Sequence, residues 1–343
     1  MITLGVFDHI DSDGRAIGAI YADRLRLIEA YDRLGIHAYH LAEHHSTPLG
    51  LTPSPSVFLS SVAQRTSRLR FGPMVYTLGL YHPLRLLEEI SMLDQLSGGR
   101  FELGIGKGIS PIEQGFFGID MAQAPAIFNE SFAILMQGFK DGRVDFHGDH
   151  FDFTDVPVTM RNVQSPHPPI WYGVAHLESV DWVAQHGMNM VSNQPGARVR
   201  TMTDRYRDQW RDAGKAPDAL PFLGIARNIV VADTDAEAVA IGRRAYHRWY
   251  DNFMTLWRAY GGSPPSLVVP DNFDDALKHN AAVAGSPATV RDALIAQIRT
   301  SGVNYVQLRF AFGDLTLDES LHSLERTMNE IAPELAGLDA VAA

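Results

Sequence analysis

The stretch Leu41-Ala42-Glu43-His44-His45 holds the residue types best suited to chemistry in this chain. Histidine can take and return a proton near neutral pH, and a neighbouring carboxylate can fix its tautomer. The stretch closes a short apolar run, Tyr39 to Ala42, and opens a loop rich in Ser, Thr, Pro and Gly, Ser46 to Ser54. Strand ends that pass directly into loops are where α/β proteins place their chemistry. On extended backbone adjacent side chains alternate in direction, so one histidine can face a pocket while the other faces the packing. Two hydrogen-bonded loop histidines without chemistry fit the same spacing. No metal is expected, because His-Glu-x-x-His is absent and adjacent histidines do not easily share one ion.

Positioning these residues falls to a regular alternation of strands and helices. Apolar runs predict strands at Ile2–Phe7, Ala38–Leu41, Leu69–Val75, Phe101–Ile105, Pro169–Val174, Met188–Val191, Phe222–Val231 and Tyr305–Phe310. Between them, Leu27, Tyr31 and Leu34 keep helical spacing up to a terminating Gly35, and Ser54-Pro55 caps and starts a helix to about Thr66. Another helix starts at Pro83 and stops at Gly98-Gly99, and one is expected over Asp235–Trp249. Thr316 and Glu319 form a capping-box pattern before a last helix ended by Pro333. Eight strands alternating with helices predict an α/β fold, a (β/α)8 TIM barrel forming one domain over residues 1–343. Gly108–Pro125 reads as irregular, Val144–Phe153 as an added hairpin, and Tyr250–Gly285, broken by Gly and Pro, as an inserted lid.

Composition narrows the partners. Of 343 residues, 45% are hydrophobic, enough for a large core, and the net charge of -11 without a basic run excludes nucleic acid and anionic membranes as expected partners. With no cysteine there is neither a disulfide nor a thiol nucleophile, which fits a reducing compartment. No stretch has the apolar length of a membrane span or a secretory leader, so a cytoplasmic protein is expected.

Four stretches carry a family resemblance: LAEHHSTPLGLTPSPSVF, YHPLRLLEEISMLDQLSGGRFELGIGKG, PPIWYGVAHLESVDWVAQHG and GVNYVQLRFAFGDLTLDESL. The Glu-His-His loop combined with the Leu-Asp-Gln-x-Ser-x-Gly-Arg-Phe run, Leu93 to Phe101, is specific where either alone is weak. In these the chain resembles the bacterial luciferase-like flavin-dependent monooxygenases. The resemblance implies reduced FMN at the C-terminal mouth of the barrel, reacting with O2 to give a flavin hydroperoxide that oxygenates a small organic substrate such as an aldehyde. It implies reduced FMN delivered by a separate flavin reductase, since no nicotinamide-binding unit is recognisable, and a homodimer packed through early helices, where Ser60, Ser61 and Ala63 are small.

Carried over by position, His44 is the catalytic histidine, assisting proton transfer around the flavin. Glu43 belongs to the cofactor side of the pocket, and His45 and Phe7 to the substrate side. Met74-Val75 stands where relatives hold a non-proline cis peptide under the isoalloxazine ring, and a buried strand pair fits these residues equally well. Lys107 and the segment Ala175, His176, Leu177 and Ser179 offer charge and helix-start N–H groups for the phosphate, with Ser192 nearby. A solvated lysine is the simpler reading of Lys107. Light-emitting relatives have cysteine where Gly106 stands and arginine where Lys107 stands. Glycine removes bulk beside the flavin and lysine gives up bidentate phosphate contacts, which argues against luminescence. Two alternatives stay open: a deazaflavin coenzyme with hydride transfer on the same barrel, and a flavin-binding protein without turnover.

Overall fold

Short apolar strands, buried on both faces, need helices on every side, and the chain supplies them in alternation. The computed structural model describes residues 1–264 and 269–338. Its strands are β1 (Thr3–Asp8), β2 (Ala38–Leu41), β3 (Arg70–Pro73), β4 (Tyr76–Thr77), β5 (Leu103–Gly106), β6 (Arg143–His147), β7 (Asp152–Pro157), β8 (Ile170–Gly173), β9 (Asn189–Ser192), β10 (Leu223–Val231), β11 (Ala282–Gly285) and β12 (Tyr305–Arg309). The parallel order β3-β2-β1-β12-β10-β9-β8-β5-β4 returns to its start, because Phe71 of β3 bridges Phe101 just before β5. The strands therefore form a nearly closed (β/α)8 TIM barrel. β3 and β4 are two parts of its third strand, separated by a cis Met74–Val75 peptide. β11 lies outside the circuit, on β10, and β6 and β7 pair antiparallel as a separate hairpin.

All eight expected strands are present, and so is the capping box of Thr316 and Glu319. Pro333 does not end the last helix: a π-helical turn, Thr327–Ile331, leads into a further turn, Ala332–Ala336, with Pro333 in its first residues where no N–H is needed. Tyr250–Tyr260 is not broken by Gly and Pro either. It continues one 26-residue helix, Asp235–Tyr260, because Trp249, Asn252, Leu256 and Trp257 keep a buried face. The rest of that segment supplies a short helix, Phe273–Lys278, and β11, while residues 265–268 lie outside the described ones. The expected small-residue surface is smaller than the sequence suggests, since Ala63 is buried.

The Leu93–Phe101 run has a structural task. The Arg100 guanidinium donates to the carbonyls of Ala63, Thr66 and Leu69, at 2.8–3.0 Å, and so ties the helix Pro55–Arg65 to the start of β3. Asp94 accepts from the backbone and side chain of Gln164. Together they fix the N-terminal end of the barrel.

Inside that end sits a buried carboxylate, Glu102. Arg70 Nε donates to it at 2.6 Å, Trp171 Nε1 at 2.7 Å, and His40 Nε2 lies at 3.1 Å; Gln307 in turn contacts His40 Nδ1 at 3.0 Å. Burial alone would raise its pKa, but the bond and charge of His40 and the charges of Arg70 and His37 outweigh it, leaving the carboxyl at about 2 against 4.5. A depressed pKa stabilises the fold above the unfolded value, and that contribution is lost as pH falls from 4.5 toward 2. It amounts to about 3 kcal/mol at neutral pH. Glu102→Gln should accordingly lose less stability than the parent when denaturant unfolding is repeated at about pH 6 and about pH 3. Parallel losses in the two proteins would mean that Glu102 is not the source.

Candidate active site

β1 and β2 finish side by side, with the Ala42 N–H donating to the Asp8 carbonyl at 2.8 Å. On the other flank the Met74 N–H donates to the Leu41 carbonyl at 2.7 Å. The Glu-His-His run thus leaves the C-terminal end of the barrel between His9 and the Met74–Val75 peptide. Gly50 backs it closely, and a Cβ there would come within 2.8 Å of the His44 Cβ.

The partner of His44 comes from the segment that the sequence left irregular. Residues Pro111–Phe116 form a short helix whose cap, Ser110, accepts from the Glu113 N–H at 3.2 Å. Glu113 Oε1 lies 3.1 Å from His44 Nδ1, and Oε2 accepts the His45 backbone N–H at 2.7 Å. Burial pushes the Glu113 carboxyl up, but the bond to His44, its charge and the His45 N–H outweigh it and hold the group below its ordinary value. An ionised carboxylate only accepts, so Nδ1 of His44 is the donor, and in the neutral ring the lone pair lies on Nε2. Among the described residues no hydrogen-bond partner for Nε2 exists.

His44 lines a cavity of about 430 Å³ at the strand ends, within the size range of cofactor and substrate sites. Phe7, His9, Tyr246, Trp249 and Phe253 give it an aromatic wall, and Gln307, Arg227 and Arg309 give it polar points. His9 is buried, with its ring 5.4 Å from that of His44 and Trp249 Nε1 at 3.4 Å from its Nδ1. Burial, then the charges of Arg309 and His44, push its pKa well down, which holds His9 neutral.

Phe7 and His44 both line this cavity. His45 does not line it. Its Nε2 contacts Glu43 at 2.9 Å and its ring packs edge-on against Phe117. Two different carboxylates therefore hold the two histidines apart. Glu43 is buried behind the wall and also accepts from Tyr81 at 2.8 Å; burial raises its pKa, offset in part by His45 and Tyr81. Met74 and Val75 pack in the barrel interior with Trp171, Val191 and Tyr305, and touch the cavity through Phe7 and Ala226 of the same cluster. Trp171 itself is core. Ser192 is buried and accepts from the Gln194 N–H at 3.3 Å.

The expected phosphate residues lie apart from the cavity. Lys107 is exposed, its ammonium 5.7 Å from the Phe128 ring. Ala175, His176, Leu177 and Ser179 surround the start of the helix Glu178–Gln185, whose first-turn Asp181 is committed to Arg205.

Gly106 does not leave free space. A Cβ there would come within 2.4 Å of a Val75 methyl, so Val75 already fills the volume that a cysteine would take. Valine is stiff about χ1, and Gly106→Ala should cost about 1–3 kcal/mol in denaturant unfolding, most of it recovered when Val75→Ala is added. Additive costs in the double variant would contradict this complementarity.

Sequence reasoning missed His9, Glu113, Arg227 and Arg309. Glu113 had a signal, the Ser110-Pro111-x-Glu113 pattern of a capped helix start. The arginines had a weaker one, a charge within an apolar strand, Arg309 at the C-terminal end of β12 and Arg227 midway along β10.

The chain is 45% identical over 331 residues to the protein y4wF of Sinorhizobium fredii, covering 96% of each. Among solved structures, the monooxygenase RslO1 from Streptomyces bottropensis superposes with a TM-score of 0.87 at 25% identity, over 97% of this chain and 99% of that one. The oxygenating constituent of 3,6-diketocamphane monooxygenase from Pseudomonas putida, a type II Baeyer-Villiger enzyme in complex with FMN, shares the fold with a TM-score of 0.80 at 21% identity, over 97% and 98%. Residues 2–305, which span nearly the whole barrel, match the luciferase-like monooxygenase family, and the chain belongs to it.

Proposed function

We propose that this protein is the oxygenating component of a two-part system, using reduced FMN and O2 to oxygenate a small organic substrate, with His44 moving the proton. The carrying observation is the His44–Glu113 pair at the cavity, with Nε2 of His44 unpartnered among the described residues. The residues fit a flavin. Met74 and Val75 offer an apolar seat in the barrel mouth, Lys107 a cation without an ion pair among the described residues, and Ala175–Ser179 a helix start for the phosphate. Glu43, just past β2, and Ser192, the last residue of β9, are buried at the same end of the barrel.

Reduced FMN, when bound, supplies the electrons and activates the oxygen; the protein supplies orientation, exclusion of water and a proton at a fixed atom. Glu113 fixes the tautomer, His44 lines the cavity with its Nε2 unpartnered among the described residues, and the neutral His9 adds no competing charge. The FMN complex of the oxygenating constituent sharing this fold supports the choice of cofactor, and its being one constituent supports a separate reductase. Anaerobic titration with reduced FMN and with a reduced deazaflavin coenzyme tests the assignment, followed by labelled O2 and a panel of aldehydes and ketones. Tighter FMN binding and one labelled oxygen atom in product are expected. Preference for the deazaflavin would move the protein to hydride transfer.

A further inference from the structure

The cavity beside His44 is cationic in an acidic protein. The chain carries 40 Asp and Glu against 29 Lys and Arg, yet the described residues lining this cavity include Arg198, Arg227 and Arg309 and no Asp or Glu. Arg227 is the telling one. It is 3% exposed, and all its hydrogen bonds go to neutral acceptors: Nε to Gln297 Oε1 at 2.7 Å, Nη1 to the Ala226 carbonyl at 2.7 Å and Nη2 to the Gln194 carbonyl at 3.0 Å. Two of its five N–H groups are left over, and among the described residues it has no ion pair. Burying a guanidinium without a counter-ion is costly, and burial here pushes its pKa down to about 9.

Two neighbours reinforce the field. Arg309 leaves its buried Nε without a partner, although Asp11 and Asp8 behind the wall compensate part of its charge. The helix Gly196–Asp212 begins at the cavity wall with no acidic residue in its first turn, so its positive end adds to the potential.

We infer that this cavity takes a carboxylate-bearing substrate, the carboxylate pairing with Arg227 and its apolar body lying among Phe7, Trp249 and Phe253 within reach of His44. This rests on the proposed function for the identity of the reaction, but not for the charge preference. A substrate anion is favoured over the flavin phosphate because Lys107 and Ala175–Ser179, at the ends of β5 and β8, do not line the cavity that holds both Arg227 and His44. A bidentate guanidinium–carboxylate pair is strong and directional, and it would orient one end of the substrate while the other meets the oxygen.

Calorimetric titration of the protein, with and without oxidised FMN, would compare benzoate with benzamide and hexanoate with hexanamide, and FMN with riboflavin. The carboxylates are expected to bind about tenfold or more tightly than the amides. Arg227→Gln should erase that preference while leaving FMN affinity unchanged. Equal binding of acids and amides by the parent protein, or no binding of either, overturns the inference. So does an Arg227→Gln variant that keeps the preference, or one that loses FMN affinity but not riboflavin affinity, which would assign the arginine to the phosphate. If Arg227→Gln does not fold, the parent comparison still decides, and Arg198→Gln, at the exposed rim of the cavity, should weaken the preference. Failure of FMN to bind the parent protein would remove the proposed function and leave the charge preference measurable.

Discussion

Replacing His44 with alanine is expected to leave reduced FMN affinity within about threefold and to lower oxygenation by about 10²–10⁴-fold, the usual contribution of a positioned acid or base. The separation follows from where the ring sits. His44 lines the cavity but is bonded to Glu113, and the proposed flavin seat is made by other residues: Met74, Val75, Lys107 and the start of the helix Glu178–Gln185. Alanine also removes little packing, since the ring is half-buried and its Cβ, which Gly50 packs against, is retained. His9 cannot take over, because burial lowers its basicity and its Nδ1 lone pair accepts from Trp249 Nε1. A variant that oxygenates as fast as the parent would remove His44 from the mechanism. Loss of FMN binding would make it a structural residue of the seat.

The contrast between what was readable and what was not follows interaction range. The eight barrel strands were legible because each is a short apolar run bounded by a polar loop or a capped helix, a local pattern. His44 was legible for a similar reason, as a strand end carrying a proton-transfer group. Its partner was not, because Glu113 lies 69 residues later in a helix of only six residues, too short to show a period. The same holds for Arg227, whose neighbours Gln194 and Gln297 come from distant parts of the chain. His45 was misread because on sequence grounds either histidine could face the pocket; the choice is made by Glu43 and Phe117, which hold His45 against the wall. The Asp235–Tyr260 helix was cut short because the Gly-Pro breaks beyond Tyr260 were taken to begin earlier than they do.

Glu113→Gln should lower the rate of oxygenation by about 10²-fold with little change in substrate KM, although glutamine is nearly the same shape. The reason is tautomeric. Glutamine can still accept the His45 N–H through its carbonyl oxygen, so the loop keeps its anchor, but its amide then presents a donor to His44 Nδ1. Nδ1 would become the acceptor and Nε2 the protonated atom, the reverse of what the carboxylate enforces. Glu113→Asp keeps the carboxylate and should recover part of the rate, which a purely structural role would not predict. Acid behaviour gives a second readout. The Glu113 pKa lies below its unfolded value, so its contribution to stability is present above the ordinary carboxylate range and is lost as pH falls through the folded value. The glutamine variant should lack that part of the acid loss. Should it retain both the parent rate and the parent acid profile, the His44–Glu113 pair would be a packing contact, and the proton would have to be handled elsewhere in the cavity.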